Sequence, residues 1–362
     1  MSSLKSLKTH FDRVKCNISL FGDLFPVYGN GSRYVLQPND QWLAGFWPGL
    51  LWLTYNRTHD DSLADSARAT LTSFADRLKQ RIHITHDLGF LYSLSARAQW
   101  QCTGDPAARQ LALEAADLLA ERYHPNGKYI QAWGAIGAAD EGGRIIIDTM
   151  MNLPLLFWAA DQTGRRELHT FARDHAETTA YTLLRDDGST YHTYFFDQNT
   201  GKPVGPKTHQ GFADDSLWAR GQAWAIFGFA TAAQWTGSNT FVDAARSAAE
   251  RFLIELPPDG IPTWDLRLPA DAPHHPDTSA SAIAAAGLLR LAPQVSSEEA
   301  ARLRTSATRL LDSLNARFVE TDPDAQGLLR GGTYHAHKNL GVNEYFICGD
   351  YYFLVLQPQI VW

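Results

Sequence analysis

Two aspartates carry the chemistry most readily read from this sequence. Asp87 follows His86 in HDLGF, Asp148 opens DTMMN, and each heads a segment that is apolar nearly all round. An aspartate ahead of a helix has an ordinary use as a cap, satisfying free amides and meeting the positive end of the dipole. Two of them aimed from neighbouring helices into one cavity have a second use. Like charges push one pKa up, so that one acid keeps its proton near neutrality and can act as a general acid. Asp87 and Asp148 are taken as that pair, and Asp277, in HPDTSAS, as a cap.

The residues expected around them suit a sugar. Trp42, Trp133, Trp218 and Trp224 fall in loops or early helical turns, where an aromatic face can stack on a pyranose. Core packing is the competing use, and the expected one for Trp218. Arg220 begins a helix otherwise too apolar to hold a charge, so it requires an anionic partner: Asp214 or Asp215, or the carboxylate of a ligand. His86, His192, His209 and Gln210 lie in the same loops and can hydrogen-bond hydroxyl or carboxylate oxygens. His274 and His275 beside Asp277, and His335 with His337, look like metal ligands. They lack an HExxH frame or three convergent donors and read as polar loop. Gly331 and Gly332 lack the strand and helix of a dinucleotide loop, and no Walker motif or nucleophile elbow occurs. No metal and no cofactor is expected.

The elements that must position these groups repeat along the chain. A Thr-Gly turn followed by an amphipathic helix recurs at Thr103-Gly104, Thr163-Gly164 and Thr236-Gly237, with looser copies at DDSLADSARATLTSFADRL, SSEEAARLRTSATRLLDSL and the N-terminal SLKSLKTHFDRVKCNISLF. Apolar residues there recur at three- and four-residue spacing with charges between, the mark of a helix with one wet face. Before each clear turn lies a drier helix: DLGFLYSLSARAQW, DTMMNLPLLFWAADQ and RGQAWAIFGFATAAQW. Comparable segments start near Trp42, Asp277 and Asn343. Six wet and six dry helices in alternation describe an all-α (α/α)6 barrel, dry ring inside and wet ring outside, as a single catalytic domain over residues 1–362. Several connections from wet to dry helices are long and rich in Gly, Pro and aromatics. They must emerge together beside the N-termini of the inner helices, which places the mouth of the site there.

Composition narrows the function. The formal charge is -7, without a basic run, so neither nucleic acid nor an anionic membrane surface is an expected partner. The N-terminus has no apolar core of a leader, and no segment is apolar over a bilayer's width. Cys16, Cys102 and Cys348 are widely spaced and contain no CxxC. A cytoplasmic protein without disulfides is expected.

Taken together, WLAGFWPG, HDLGF, the AWG around Trp133, DTMMNLPLLFWA, Tyr191-His192-Thr193, HQGFADDSLWARGQAW, HPDTSAS and NEYFICGDYYF resemble the unsaturated glucuronyl hydrolases of glycoside hydrolase family 88, from about Trp42 to about Tyr352. The resemblance implies an (α/α)6 barrel, with Asp148 as general acid and base and Asp87 as its partner. It implies Trp42, His86, Trp133, His192, Gln210, Arg220 and Trp224 as substrate-binding positions, with Lys338 added from the C-terminal loop. In that loop some members hold a substrate sulfate with hydroxyls and a lysine; here Thr333 and Lys338 flank an Ala336.

The implied substrate is an unsaturated uronyl disaccharide or short oligosaccharide left by a polysaccharide lyase. Asp148 protonates C4 of the 4,5-double bond, water adds at C5, and the hemiketal collapses to release the sugar beneath. Arg220 and the histidines would bind the uronate carboxylate. An unsaturated rhamnogalacturonyl hydrolase, an inverting glycosidase on the same barrel and a non-catalytic sugar receptor are the competing functions; the intact aspartate pair counts against the last.

Overall fold

In the computed structural model, which describes residues 2–138 and 141–357, helices alternate between an outer and an inner ring. The outer ring is α1 (Ser2–Phe21), α3 (Asp61–Lys79), α5 (Pro106–Ala120), α7 (Arg166–Thr182), α9 (Asn239–Glu255) and α11 (Ser297–Arg317). The inner ring is α2 (Phe46–Thr58), α4 (Leu88–Tyr92, continuing through a π turn at Ser93–Arg97 into Ala98–Thr103), α6 (Leu153–Thr163), α8 (Ala219–Thr236), α10 (Thr278–Leu291) and α12 (Ile347–Val355). Each inner helix packs on the next, and α12 returns to α2, closing the ring. The (α/α)6 barrel expected from the repeat is the fold.

The two rings differ because their sequences do. Helix α5 buries Ala108, Leu111, Ala112, Ala115, Ala116 and Leu119, one stripe at three- and four-residue intervals. Helix α8 is buried almost without interruption from Ala219 to Ala233, as an inner helix must be. One hydrophobic cluster runs from Phe11 to Leu356 through both rings.

The Thr-Gly turns have a common mechanism. Each threonine hydroxyl donates to the carbonyl four residues back, from Thr103 to Gln99, Thr163 to Ala159 and Thr236 to Ala232. The following glycine takes a left-handed conformation, with φ of 72°, 73° and 67°, and its N–H closes the helix. A fourth copy lies at Thr58, which bonds to the Thr54 carbonyl, but here His59 occupies the left-handed position at φ 54°. Without its glycine, that copy is invisible to a Thr-Gly reading.

The long connections, read from sequence as irregular loops, contain small antiparallel sheets: β1 (Phe25–Asn30) with β2 (Arg33–Gln37), β3 (Tyr123–His124) with β4 (Tyr129–Ile130), β5 (Arg144–Ile146) with β6 (Thr193–Phe196) and β7 (Pro203–Lys207), and β8 (Gly332–His335) with β9 (Leu340–Glu344). All lie on outer-to-inner connections and gather at the mouth. The segment from Asn343, expected to be helical, enters β9 first, and α12 starts at Ile347. Among the described residues no helix is long and apolar enough to cross a membrane.

Candidate active site

Asp148 lies in the 3-10 turn Ile147–Met151 that leads into α6, and Asp87 immediately precedes α4. Asn152 fixes one turn to the other. Its Oδ1 accepts from the Phe90 amide at 2.6 Å, and its Nδ2 donates to the Asp148 carbonyl at 3.2 Å. Asp148 keeps part of its surface open to the mouth, while its Oδ1 is covered and has no hydrogen-bond partner. Burial, reinforced by the charge of Asp87 and opposed by Arg220, raises its pKa from the usual carboxylate range to about 7. The surface left open tempers this desolvation without cancelling it. Neither acid makes a side-chain cap to its helix, so the cap use does not account for them.

The histidines around the pair are neutral donors. His86 is buried, its Nδ1 2.8 Å from the Thr149 hydroxyl and its Nε2 facing Asp87 Oδ1 at 3.4 Å. Burial lowers its pKa, against the opposing charge of Asp87. The Thr85 hydroxyl donates to the other oxygen of Asp87 at 2.9 Å. His192 Nδ1 accepts from the amides of His209 and Gln210 at 3.0 and 3.1 Å, which leaves the ring proton on Nε2. That Nε2 is buried and unpartnered, and burial holds the imidazole well below its ordinary pKa. It is a free N–H donor without charge.

Arg220 is fully buried, and its anionic partner is Asp277 at 2.7 Å. The expected partners serve elsewhere: Asp214 binds Lys207, and the Asp215 carbonyl accepts from Arg185. Arg220 also donates to the carbonyls of Thr333 and Tyr334, both at 2.8 Å, and Nε stays unpartnered. Gln210 reaches the same Tyr334 carbonyl at 2.9 Å. Arg220 and Gln210 thus hold the β8 strand over the site. Asp277 does cap α10, accepting from the Ser279 amide, as expected.

The tryptophans divide. Trp42 and Trp133 are partly exposed at the mouth; Trp42 Nε1 donates to the Tyr334 hydroxyl at 3.4 Å, and the Arg144 guanidinium lies 5.1 Å from the Trp133 ring. Trp218 is buried against His192, the core use expected of it. Trp224 is fully buried beneath Phe90, at 5.3 Å between ring centres, so it offers no stacking face; only its unpartnered Nε1–H remains to offer. Lys338 stands exposed in the turn between β8 and β9. Thr333 is buried and donates to the Pro276 carbonyl, which removes it from any sulfate contact.

Comparison with known proteins agrees with this arrangement. Residues 24–354 match the family described as Glycosyl Hydrolase Family 88. The chain belongs to glycoside hydrolase family 88. It is 43% identical over 343 residues to the unsaturated glucuronyl hydrolase of Bacillus sp. (strain GL1), covering 93% of this chain and 91% of that one. It is 36% identical to an unsaturated chondroitin disaccharide hydrolase of Streptococcus pyogenes serotype M1, covering 97% and 89%. The crystal structure of the Bacillus sp. GL1 unsaturated glucuronyl hydrolase superposes with a TM-score of 0.94 at 42% identity, over 96% of this chain and 94% of that one.

Three residues that the fold of this family 88 hydrolase brings to the candidate site escape sequence reasoning. Asn152 reads as part of an apolar helix start. Tyr334 is brought to Trp42 only by the β8 strand. His335, set aside with His337 as polar loop, is buried, has both ring nitrogens unpartnered and lies 5.3 Å from the ring of His209. Its place beside Tyr334 on a strand is the available signal, and a strand this short carries no clear mark in the sequence. Among the described residues no group of three His, Cys, Asp or Glu side chains is placed to hold a metal.

Proposed function

We propose that this glycoside hydrolase releases 4,5-unsaturated uronic acid from the non-reducing end of lyase-generated oligosaccharides of the glycosaminoglycan type, by hydrating the C4=C5 vinyl ether with Asp148 as acid and base. The observation that carries the proposal is the placement of the Asp148 carboxyl, with Oδ1 covered and unpartnered and its turn tied through Asn152 to the turn of Asp87, so that burial and the Asp87 charge raise its pKa to about 7. The substrates in the names of its relatives support the same class.

In this reading Asp148 gives its proton to C4, and positive charge develops at C5 and the ring oxygen. Water adds to C5 and passes a proton back to Asp148, which regenerates the acid. The resulting hemiketal opens, and the C1–O bond to the next sugar is released as a hemiacetal collapses. Attack at the anomeric carbon is not needed, so the spacing rule for retaining and inverting carboxylates has no bearing. General acid assistance of this kind contributes about 10²–10⁴-fold.

Asp87 raises the Asp148 pKa and accepts a ring hydroxyl. The Nε2–H of His192, Nε–H of Arg220 and side chain of Gln210 face the uronate carboxylate; His86 orients Asp87. Trp42 and Trp133 supply ring faces, Trp224 contributes its indole N–H from below, and Lys338 stands at the rim for the second sugar.

We extend the proposal to a single catalytic domain over residues 1–362, supported by the cluster from Phe11 to Leu356. A cytoplasmic location is supported by three unpaired cysteines. The test is loss of the near-ultraviolet absorbance of the conjugated uronate across sulfated and unsulfated unsaturated disaccharides. No loss on any of them would move the assignment to the rhamnogalacturonyl or conventional glycosidase reading.

A further inference from the structure

At the end of the barrel away from the mouth, the inner helices line a second cavity of about 1160 Å³ that opens to solvent. All six contribute to its wall, mostly from their C-terminal halves. Phe90 separates it from the mouth, lining the cavity while packing against Trp42 on the other side.

Among the described residues the charged members of this lining are Arg97 and Arg290, with no Asp or Glu. Arg97 ends the π turn Ser93–Arg97 in α4, a helix irregularity that often marks a functional position. Its guanidinium lies 5.9 Å from the Trp158 ring, and its Nε is buried without a hydrogen-bond partner. The buried hydroxyl of Ser93, one turn earlier, is also unpartnered and lines the same cavity. Arg290, half-buried, donates to Gln234 Oε1 at 3.0 Å at the exposed edge of the cavity and lies 4.6 Å from the Phe227 ring, with no carboxylate partner among the described residues. Burial lowers the Arg97 pKa to about 10, with the charge of Arg290 adding to it and Tyr351 opposing. Both arginines still carry their charge at neutral pH.

Two cations partly desolvated in one cavity are costly unless an anion joins them. Aromatic faces offset part of that cost, since a cation–π contact contributes about 0.5–2 kcal/mol. Guanidinium forks are shaped for oxyanions. We propose that this rear cavity is an anion-binding site, distinct from the Asp148 site, that holds a compact oxygen dianion between Arg97 and Arg290 with the Ser93 hydroxyl as a further donor. Sulfate, phosphate and a small dicarboxylate share that chemistry.

The experiment is calorimetric titration and thermal unfolding of the full chain with sodium sulfate, phosphate and succinate, at an ionic strength held constant with chloride. Binding and a raised melting temperature are expected for at least one dianion, and their ranking identifies its source. Arg97→Met and Arg290→Met should each weaken that binding at least about ten-fold, whereas Lys338→Ala, at the mouth, should leave it unchanged. Undiminished binding in both arginine variants, loss in Lys338→Ala instead, or no effect beyond chloride overturns the proposal. Should an arginine variant fail to fold, crystals of the unaltered chain soaked in selenate decide the matter by anomalous scattering. A peak between the two guanidiniums supports the site, and peaks confined to the mouth contradict it.

Discussion

The backbone of Gly89 lies so close to Asn152 that a Cβ added to the glycine would stand 2.2 Å from the Asn152 Cα. This contact, with the 2.6 Å hydrogen bond from the Phe90 amide to Asn152, locks the turn bearing Asp87 to the turn bearing Asp148. Asn152→Ala leaves the buried Phe90 amide without an acceptor, at about 1–3 kcal/mol. The expected outcome is a lower melting temperature and a reduced kcat with KM little changed, read from thermal unfolding and steady-state kinetics. Gly89→Ala, which must push backbone against backbone, should be more damaging.

The raised pKa of Asp148 sets a pH dependence. The acid form required for protonation at C4 is lost as pH rises through about 7, so kcat/KM should fall about ten-fold per unit above that. Stability follows the same linkage. The folded carboxyl binds its proton up to about 7 and the unfolded one only to its ordinary value of 3.8, so this group's contribution to stability declines as pH rises between them. Asp148→Asn, which carries no charge, should melt a few degrees above the unaltered protein at pH 8, with a smaller difference at pH 5.

Much of this site could be read from the chain, and the limits have physical causes. The barrel follows from helical periodicity and Thr-Gly turns, which are local properties. Asp87 and Asp148 are recognisable because each begins a dry helix. The partner of Arg220 is not, because Asp277 lies 57 residues away in sequence, whereas Asp214 and Asp215 are near in sequence and engaged elsewhere. Tyr334 and His335 reach the site only through the β8–β9 pairing, which short irregular strands do not announce. Trp224 shows the converse: its place in a matching motif is legible, but only packing beneath Phe90 reveals that its ring face is covered.

Breaking the buried pair at the base of the β8 strand should be expensive. Arg220→Met leaves Asp277 charged and buried while releasing the Thr333 and Tyr334 carbonyls. A loss of about 3–5 kcal/mol in chemical unfolding is expected. Arg220→Lys should recover only part of it, since an ammonium cannot reproduce the fork that spans Asp277 and two carbonyls.

The hidden turn copy at His59 offers a gain instead. With φ at 54°, the histidine holds a left-handed conformation that glycine fills in the other three copies. His59→Gly should stabilise the chain by up to about 1 kcal/mol, whereas Gly104→Ala should cost about as much. Thermal unfolding of the two variants side by side checks both signs.

The role of Asp148 is tested by following the absorbance of an unsaturated uronyl disaccharide, in parallel with the unaltered enzyme and with Asp148→Asn. Steady loss of the conjugated chromophore is expected with the enzyme, and none with the variant, which should still bind the disaccharide. Near-normal decay with Asp148→Asn would contradict the assignment of that carboxyl as the acid that protonates C4.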